Sequence, residues 1–286
     1  MAPYVFRSSN TFSASSSPPP YSDYCNALDV AFSLIRPAFD ANRAAFFFLF
    51  GFSGTGKSSI EEPLWWRLNS AGMPFSTLTI RSESIAGRSL VSARNELEYI
   101  EDQYITREEL YPLLIILDEA EALAPDRKKH PSEKPVCWWT VSLLKSLRPM
   151  HRPSAVCACT NYPDDCDATI KSEIGPSIYV PEAPLATLQE LCAGLKVSDP
   201  VEVAKEYWAI CSKHQRVPLP RPLVDSVENV KDRWTAATGV RERAQSLFDY
   251  NTPPLRADFG LYEKDLSARR DQARRLKEFL IGPGQD

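Results

Sequence analysis

The chain has no apolar run long enough to cross a bilayer. Its longest, Ala44 to Phe50, falls far short of the roughly 18 residues that a span requires and reads instead as a buried strand. No membrane partner is expected. Positive charge is not in excess either: 33 Lys and Arg face 37 Asp and Glu, for a formal net charge of -4. Nothing in that balance argues for tracking along a phosphate backbone. The seven cysteines (Cys25, Cys137, Cys157, Cys159, Cys166, Cys192 and Cys211) are odd in number and scattered, without metal-ligand spacing beyond the weak Cys157-Ala-Cys159 pair. Residues two apart share a strand face, so that pair also fits two plain buried side chains. A reducing, cytoplasmic setting is the simplest reading. Residues 1–22 hold no acid, the single arginine Arg7 and a Ser/Pro cluster from Ser13 to Pro20. One arginine makes a weak presequence, and a disordered tail is expected. There is no internal repeat.

What is present is the composition of a soluble globular protein, 43% hydrophobic and 24% charged over 286 residues, enough for one main domain and an appendage. A helix from Tyr24 to Phe39, ending near Pro37, leads into the Ala44 to Phe50 strand. Short apolar or β-branched runs follow at Phe75 to Ile80, Leu113 to Leu117, Ala155 to Thr160 and Ser177 to Val180. Helix-like stretches separate them at Lys57 to Asn69, Leu90 to Asp102, Trp138 to Leu147 and Asp165 to Ser172. Such alternation predicts an α/β core with a parallel sheet covered on both faces, in three layers. Past Pro184 only helical patterns remain. They begin with Leu185 to Leu195 and then a helix opened by Asp199-Pro200-Val201-Glu202, an N-cap acid followed by Pro at the first helical position. Arg216 to Pro222, with three prolines, reads as a rigid loop, and Leu266 to Leu280 as an amphipathic helix, whose apolar face suits core packing or an oligomer contact. The expected domains are a tail over 1–22, an α/β core over 23–183 and a smaller all-helical unit over 184–286.

Gly51-Phe52-Ser53-Gly54-Thr55-Gly56-Lys57-Ser58 fits G-x-x-x-x-G-K-[ST] between a predicted strand and a predicted helix, the context this phosphate-binding loop requires. Its glycines let successive N–H groups turn inward around a β-phosphate, and the helix start adds positive potential. Lys57 is placed to neutralise β/γ oxygens and Ser58 to hold Mg²⁺, with Ser59 completing the nucleotide-binding stretch. Leu113 to Leu117 then delivers Asp118 and Glu119 at a strand's carboxyl end, where open α/β sheets place ligands. In this Walker B pattern Asp118 joins the Mg²⁺ shell and Glu119 orients or deprotonates the attacking water. ATP and Mg²⁺ are the expected ligands.

With these motifs, the sequence resembles the AAA+ ATPase superfamily, and more narrowly the AAA group that includes the meiotic HORMA-remodelling ATPases. The resemblance covers roughly Asp23 to Gly194 and rests on Gly51 to Ser58, on Leu117-Asp-Glu-Ala-Glu-Ala-Leu123 with Arg127, and on Thr160-Asn161-Tyr-Pro-Asp-Asp-Cys-Asp167. It implies that Asn161 is sensor 1, holding the attacking water near the γ-phosphate, although an Asn-Tyr-Pro-Asp run also makes an ordinary turn. It implies a helical lid, in which Thr238-Gly-Val-Arg-Glu-Arg243 looks like sensor 2, with Arg241 reaching the nucleotide and Arg243 as substitute. Three catalytic residues are thus expected: Glu119, Asn161 and Arg241.

Two features depart from the family. Where such remodellers carry an aromatic pore-loop residue, this chain has Ser82-Glu-Ser-Ile-Ala-Gly-Arg88, with Ile85 the nearest substitute. Where they supply a trans-acting arginine finger, Asp167-Ala-Thr-Ile-Lys-Ser-Glu-Ile174 places Glu173, with Lys171 nearby. The resemblance implies a homo-oligomer, ring or filament, or a hetero-oligomer whose partner donates the finger. It implies ATP hydrolysis coupled to assembly and to remodelling of a protein substrate, chosen through the tail, the lid or an adaptor. A nucleic-acid-associated switch of the initiator or transposition-regulator type remains a second reading, with the basic loop Arg127-Lys-Lys-His130 as a contact or as a solvated loop. An ATP-dependent scaffold with little hydrolysis is a third.

Overall fold

A computed structural model describes residues 4–8, 25–82, 90–105, 111–147, 152–180, 183–197, 199–213 and 218–229. In chain order its elements are β1 (Tyr4–Arg7), α1 (Cys25–Asp40), β2 (Ala44–Phe50), α2 (Glu61–Ser70), β3 (Ser76–Arg81), α3 (Leu90–Ile100), β4 (Leu113–Asp118), α4 (Ala120–Leu123), α5 (Lys134–Leu147), β5 (Ser154–Thr160), α6 (Ala168–Glu173), β6 (Ser177–Tyr179), α7 (Leu185–Gly194), α8 (Pro200–Lys213) and α9 (Pro220–Asn229).

The strands form one six-stranded sheet in the order β1-β3-β4-β5-β2-β6. All neighbours are parallel except β1, which runs antiparallel to β3. Because successive side chains point to opposite faces, β4 splits its apolar run between two cores. Leu113, Ile115 and Leu117 join α3, α4 and α5 on one side. Leu114 and Ile116 join α1 and α2 on the other. Both faces are covered, so the strands read as unbroken apolar runs and the core has three layers, as the alternation predicted. Helices α7, α8 and α9 bury a separate cluster around Leu188, Leu191, Tyr207 and Leu223.

Several boundaries differ from the sequence reading. Tyr4–Arg7, assigned to the tail, form the edge strand β1; four residues are too few to show a strand period. Arg7 pairs with Glu61 at 3.5 Å, and the Thr77 hydroxyl donates to the same buried carboxylate, which ties β1 to α2. Helix α1 runs through Pro37 to Asp40. A proline in the last turns forfeits little, since Ala41 N–H reaches Pro37 O at 3.1 Å and Arg43 N–H reaches Ala38 O at 2.8 Å. The helix after the glycine loop starts as a tight 3₁₀ turn over Lys57–Ile60 before α2 begins. Pro220 and Pro222, read as loop, lie in the first turn of α9, where a missing N–H costs nothing. The Asp199 cap is present: its Oδ1 accepts Glu202 N–H at 3.3 Å. The 266–280 helix lies outside the described residues.

One ion pair holds the loops beyond β4 and β5 together. Arg127 Nε and Nη2 donate to Asp167 at 2.8 and 2.9 Å, and Asp167 Oδ1 also caps α6 by accepting Thr169 N–H at 2.9 Å. Asp167→Ala removes cap and pair together and is expected to cost roughly 2–3 kcal/mol, read as a lower urea midpoint at pH 7. The Arg127 guanidinium holds the Asp167 carboxyl well below the usual carboxylate range. Its contribution is therefore present above the ordinary value of about 4 and is lost progressively as pH falls below it. The stability gap between wild type and variant should narrow at pH 3; a constant gap would contradict this account.

Candidate functional site

Strands β4, β5 and β2 are adjacent and parallel, so their carboxyl ends open onto one place. From β2 comes the loop Gly51 to Gly56, from β4 Asp118 and Glu119, from β5 Asn161. The register pairs Phe50 with Thr160 and Leu117 with Ala158, which sets the three ends nearly level. Together with the start of α9 they enclose a cleft of about 480 Å³ lined by Ser53 to Ile60, Asp118, Glu119, Asn161 and Arg221. That is the size of a small-molecule site.

Glycine is required at the loop's entry: a Cβ on Gly51 would lie 2.3 Å from Val180 O on the crossing chain. Gly56, at φ 88, takes a left-handed turn that other residues adopt only with strain. This turn aims the Lys57 side chain back into the cleft. Only 7% exposed, its ammonium donates to Gly51 O at 3.1 Å, Phe52 O at 2.7 Å and Asn161 Oδ1 at 2.7 Å. Burial lowers its pKa to about 8, against the opposing pull of Cys159, Glu121 and Asp118.

The Ser58 hydroxyl donates to Asp118 Oδ1, so two hard oxygen ligands stand side by side. Magnesium uses few protein oxygens and keeps waters, and this pair suits it. Among the described residues there is no group of three or more His, Cys, Asp or Glu that could hold a metal. Glu119 adopts a left-handed backbone at φ 57, rare for a residue with a Cβ, and its Oε2 accepts a hydrogen bond from Ser82. Strain of that kind clusters at working sites. A glycine loop lining the cleft, a buried ammonium and a paired serine and aspartate together fit a magnesium-bound triphosphate.

Thus Gly51, Gly54, Gly56, Lys57, Ser58, Ser59, Ser53, Thr55, Asp118, Glu119 and Asn161 meet at one end of the sheet. Arg241 and Arg243 lie outside the described residues, as does the stretch from Glu83 to Arg88. Sequence reasoning missed Arg221, which lines the cleft from the first turn of α9 and donates its own N–H to Gly54 O at 3.4 Å. The signal was there: Pro220 marks a first helical position as well as a loop. It also missed Ser82 against Glu119, and Glu121, whose Oε1 accepts the Asn161 N–H.

Among the described residues no helix is long and apolar enough to cross a membrane. No curated protein matches the chain in sequence. Among solved structures, a chain of the E. coli MS115-1 HORMA:CdnC:Trip13 complex is similar, with a TM-score of 0.58 and 12% identity, over 86% of this chain and 94% of that one. At that identity the likeness concerns the fold. The model of the ATPase family associated with various cellular activities (AAA) matches residues 47–182, from within β2 to just beyond β6. Over those residues the chain is similar to the AAA ATPase family, in line with the AAA+ superfamily that its sequence motifs resemble.

Proposed function

We propose that the chain is an ATP hydrolase that couples Mg-ATP binding and hydrolysis to assembly of an oligomer and to remodelling of a protein partner. The observation that carries the reading is the convergence on Lys57: P-loop carbonyls and Asn161 Oδ1 hold its ammonium where phosphate oxygens would replace them. Bound Mg²⁺ would offset charge on the β- and γ-phosphates. Ser58 and Asp118 would hold that ion, Lys57 would balance phosphate charge, Asn161 would orient the attacking water and Glu119 would accept its proton. The similar fold belongs to a complex named for HORMA, CdnC and Trip13, which favours a protein partner over nucleic acid. Residues 184–286 serve as the lid, and the buried cysteines without a disulfide among the described residues suit a reducing cytoplasm. Lys57→Ala should abolish ATP binding in calorimetry, while Glu119→Gln should bind ATP and turn over about 10² to 10⁴ times more slowly. Unchanged affinity in the first variant, or parental turnover in the second, refutes the assignment.

Arg221, which lines the cleft from the start of α9, joins Arg241 as a lid arginine in this reading. Arg221→Ala and Arg241→Ala should each slow turnover at least about tenfold. A variant that turns over at the parental rate would remove that arginine from the site.

The oligomer's weak point is α6. Glu173 stands where an arginine finger is expected, and Lys171 turns its ammonium toward Asp164 O at 3.4 Å. A carboxylate facing a neighbour's γ-phosphate opposes the transition state, and fingers contribute about 10³ to 10⁵ in rate. The purified chain should therefore hydrolyse ATP slowly, Glu173→Arg should raise the rate and Lys171→Ala should not change it. Fast turnover that Glu173→Arg does not raise would place the finger elsewhere.

A further inference from the structure

Glu121 has no role in the chemistry just described, yet it is bonded to the backbone of Asn161, a residue that lines the cleft. It occupies the second residue of the short helix α4. One of its oxygens, Oε1, accepts the Asn161 N–H at 3.2 Å, while Oε2 is buried with no hydrogen-bond partner among the described residues. Burial pushes its carboxyl pKa up, against the Thr160 hydroxyl and the charge of Lys57. A largely buried carboxylate costs desolvation free energy, so its place calls for a reason.

The reason lies at the end of β5. The ladder with β2 stops at the Phe50 and Thr160 pair, so Asn161 is the first residue past the strand. Its side-chain oxygen must nonetheless meet Lys57, which it does at 2.7 Å. Glu121 supplies the hydrogen bond that the ladder no longer supplies, and thereby sets the Asn161 backbone from which the amide projects. We infer that Glu121 is a positioning residue, whose acceptance of the Asn161 N–H holds the Asn161 amide toward Lys57 and the phosphate end of the cleft. The inference rests on the ATPase reading above. It makes the carboxylate's place, rather than its charge, the property that matters.

Two near-isosteric substitutions separate those properties. Glu121→Gln keeps an acceptor oxygen at the same reach and removes the charge; turnover should stay within about twofold of the parent. Glu121→Asp keeps the charge and withdraws the oxygen by one methylene. Its kcat should fall at least about tenfold, as small misplacements near reacting groups do, with calorimetric ATP affinity within about threefold, since Lys57 keeps its loop partners. Placed on an Asn161→Ala background, Glu121→Asp should cause no further loss, because the residue acts through that side chain. Slow Glu121→Gln with parental Glu121→Asp would overturn the inference in favour of a charge effect on Lys57. Equal losses from Glu121→Asp with and without Asn161 would overturn it as well. A parental chain that binds ATP without any turnover would overturn the ATPase reading and this inference with it, whereas the other failures leave that reading intact.

Discussion

A buried ammonium must have partners, and much of this structure follows from where Lys57 finds them. Taking an amine out of water disfavours its charged form unless oxygens surround it. Two of the three oxygens come from its own loop, at Gly51 and Phe52, and the third from Asn161, more than a hundred residues later. Asn161 can be that third partner only because β5 lies beside β2 and in register with it. The sheet order is thus a chemical requirement as well as a packing solution. It lets the chain travel out through β3 and β4 and still return beside its starting strand.

The same geometry explains which parts were legible in the sequence. Buried parallel strands are dense apolar runs, and β2, β4 and β5 showed themselves without ambiguity. The glycine loop is written in residue types, because Gly51 and Gly56 meet backbone demands that other residues fail. Partnerships between distant segments are not written this way. Ser82 with Glu119, and Glu121 with Asn161, join ordinary polar residues whose meeting depends on strand neighbours. A sequence period carries no information about that adjacency. Pro220 and Pro222 were ambiguous for a different reason, since proline marks both a loop and a helix's first turn. The four residues of β1 were too short a pattern, and their pairing with β3 depends on an edge that only the folded sheet provides.

Around the site, polar contacts brace what the apolar cores do not reach. Arg127 and Asp167 tie the loops beyond β4 and β5 to each other, and backbone bonds from Asp126 to Asp165 O and from Asp167 to Ala124 O run alongside, both at 2.8 Å. Asp118 and Glu119 on one side and Asn161 on the other are thereby carried on a single braced unit. The left-handed backbone at Glu119 sits within that frame, which is the condition under which such strain persists.

The cleft also lies where two cores meet. The α/β core is built on the faces of the sheet, whereas α7, α8 and α9 bury their own residues against one another. At the cleft the two meet at Gly54: the Arg221 N–H reaches Gly54 O at 3.4 Å, and a Cβ on Gly54 would lie 3.6 Å from the Leu219 and Arg221 side chains. A ligand in contact with both the glycine loop and α9 has an affinity that depends on how the cores are set, and by reciprocity it biases that setting. Binding at a sheet's edge alone would lack this lever. In the proposed reading, Arg221, lining the cleft from α9, is the contact through which a nucleotide at Lys57 would reach the helical unit.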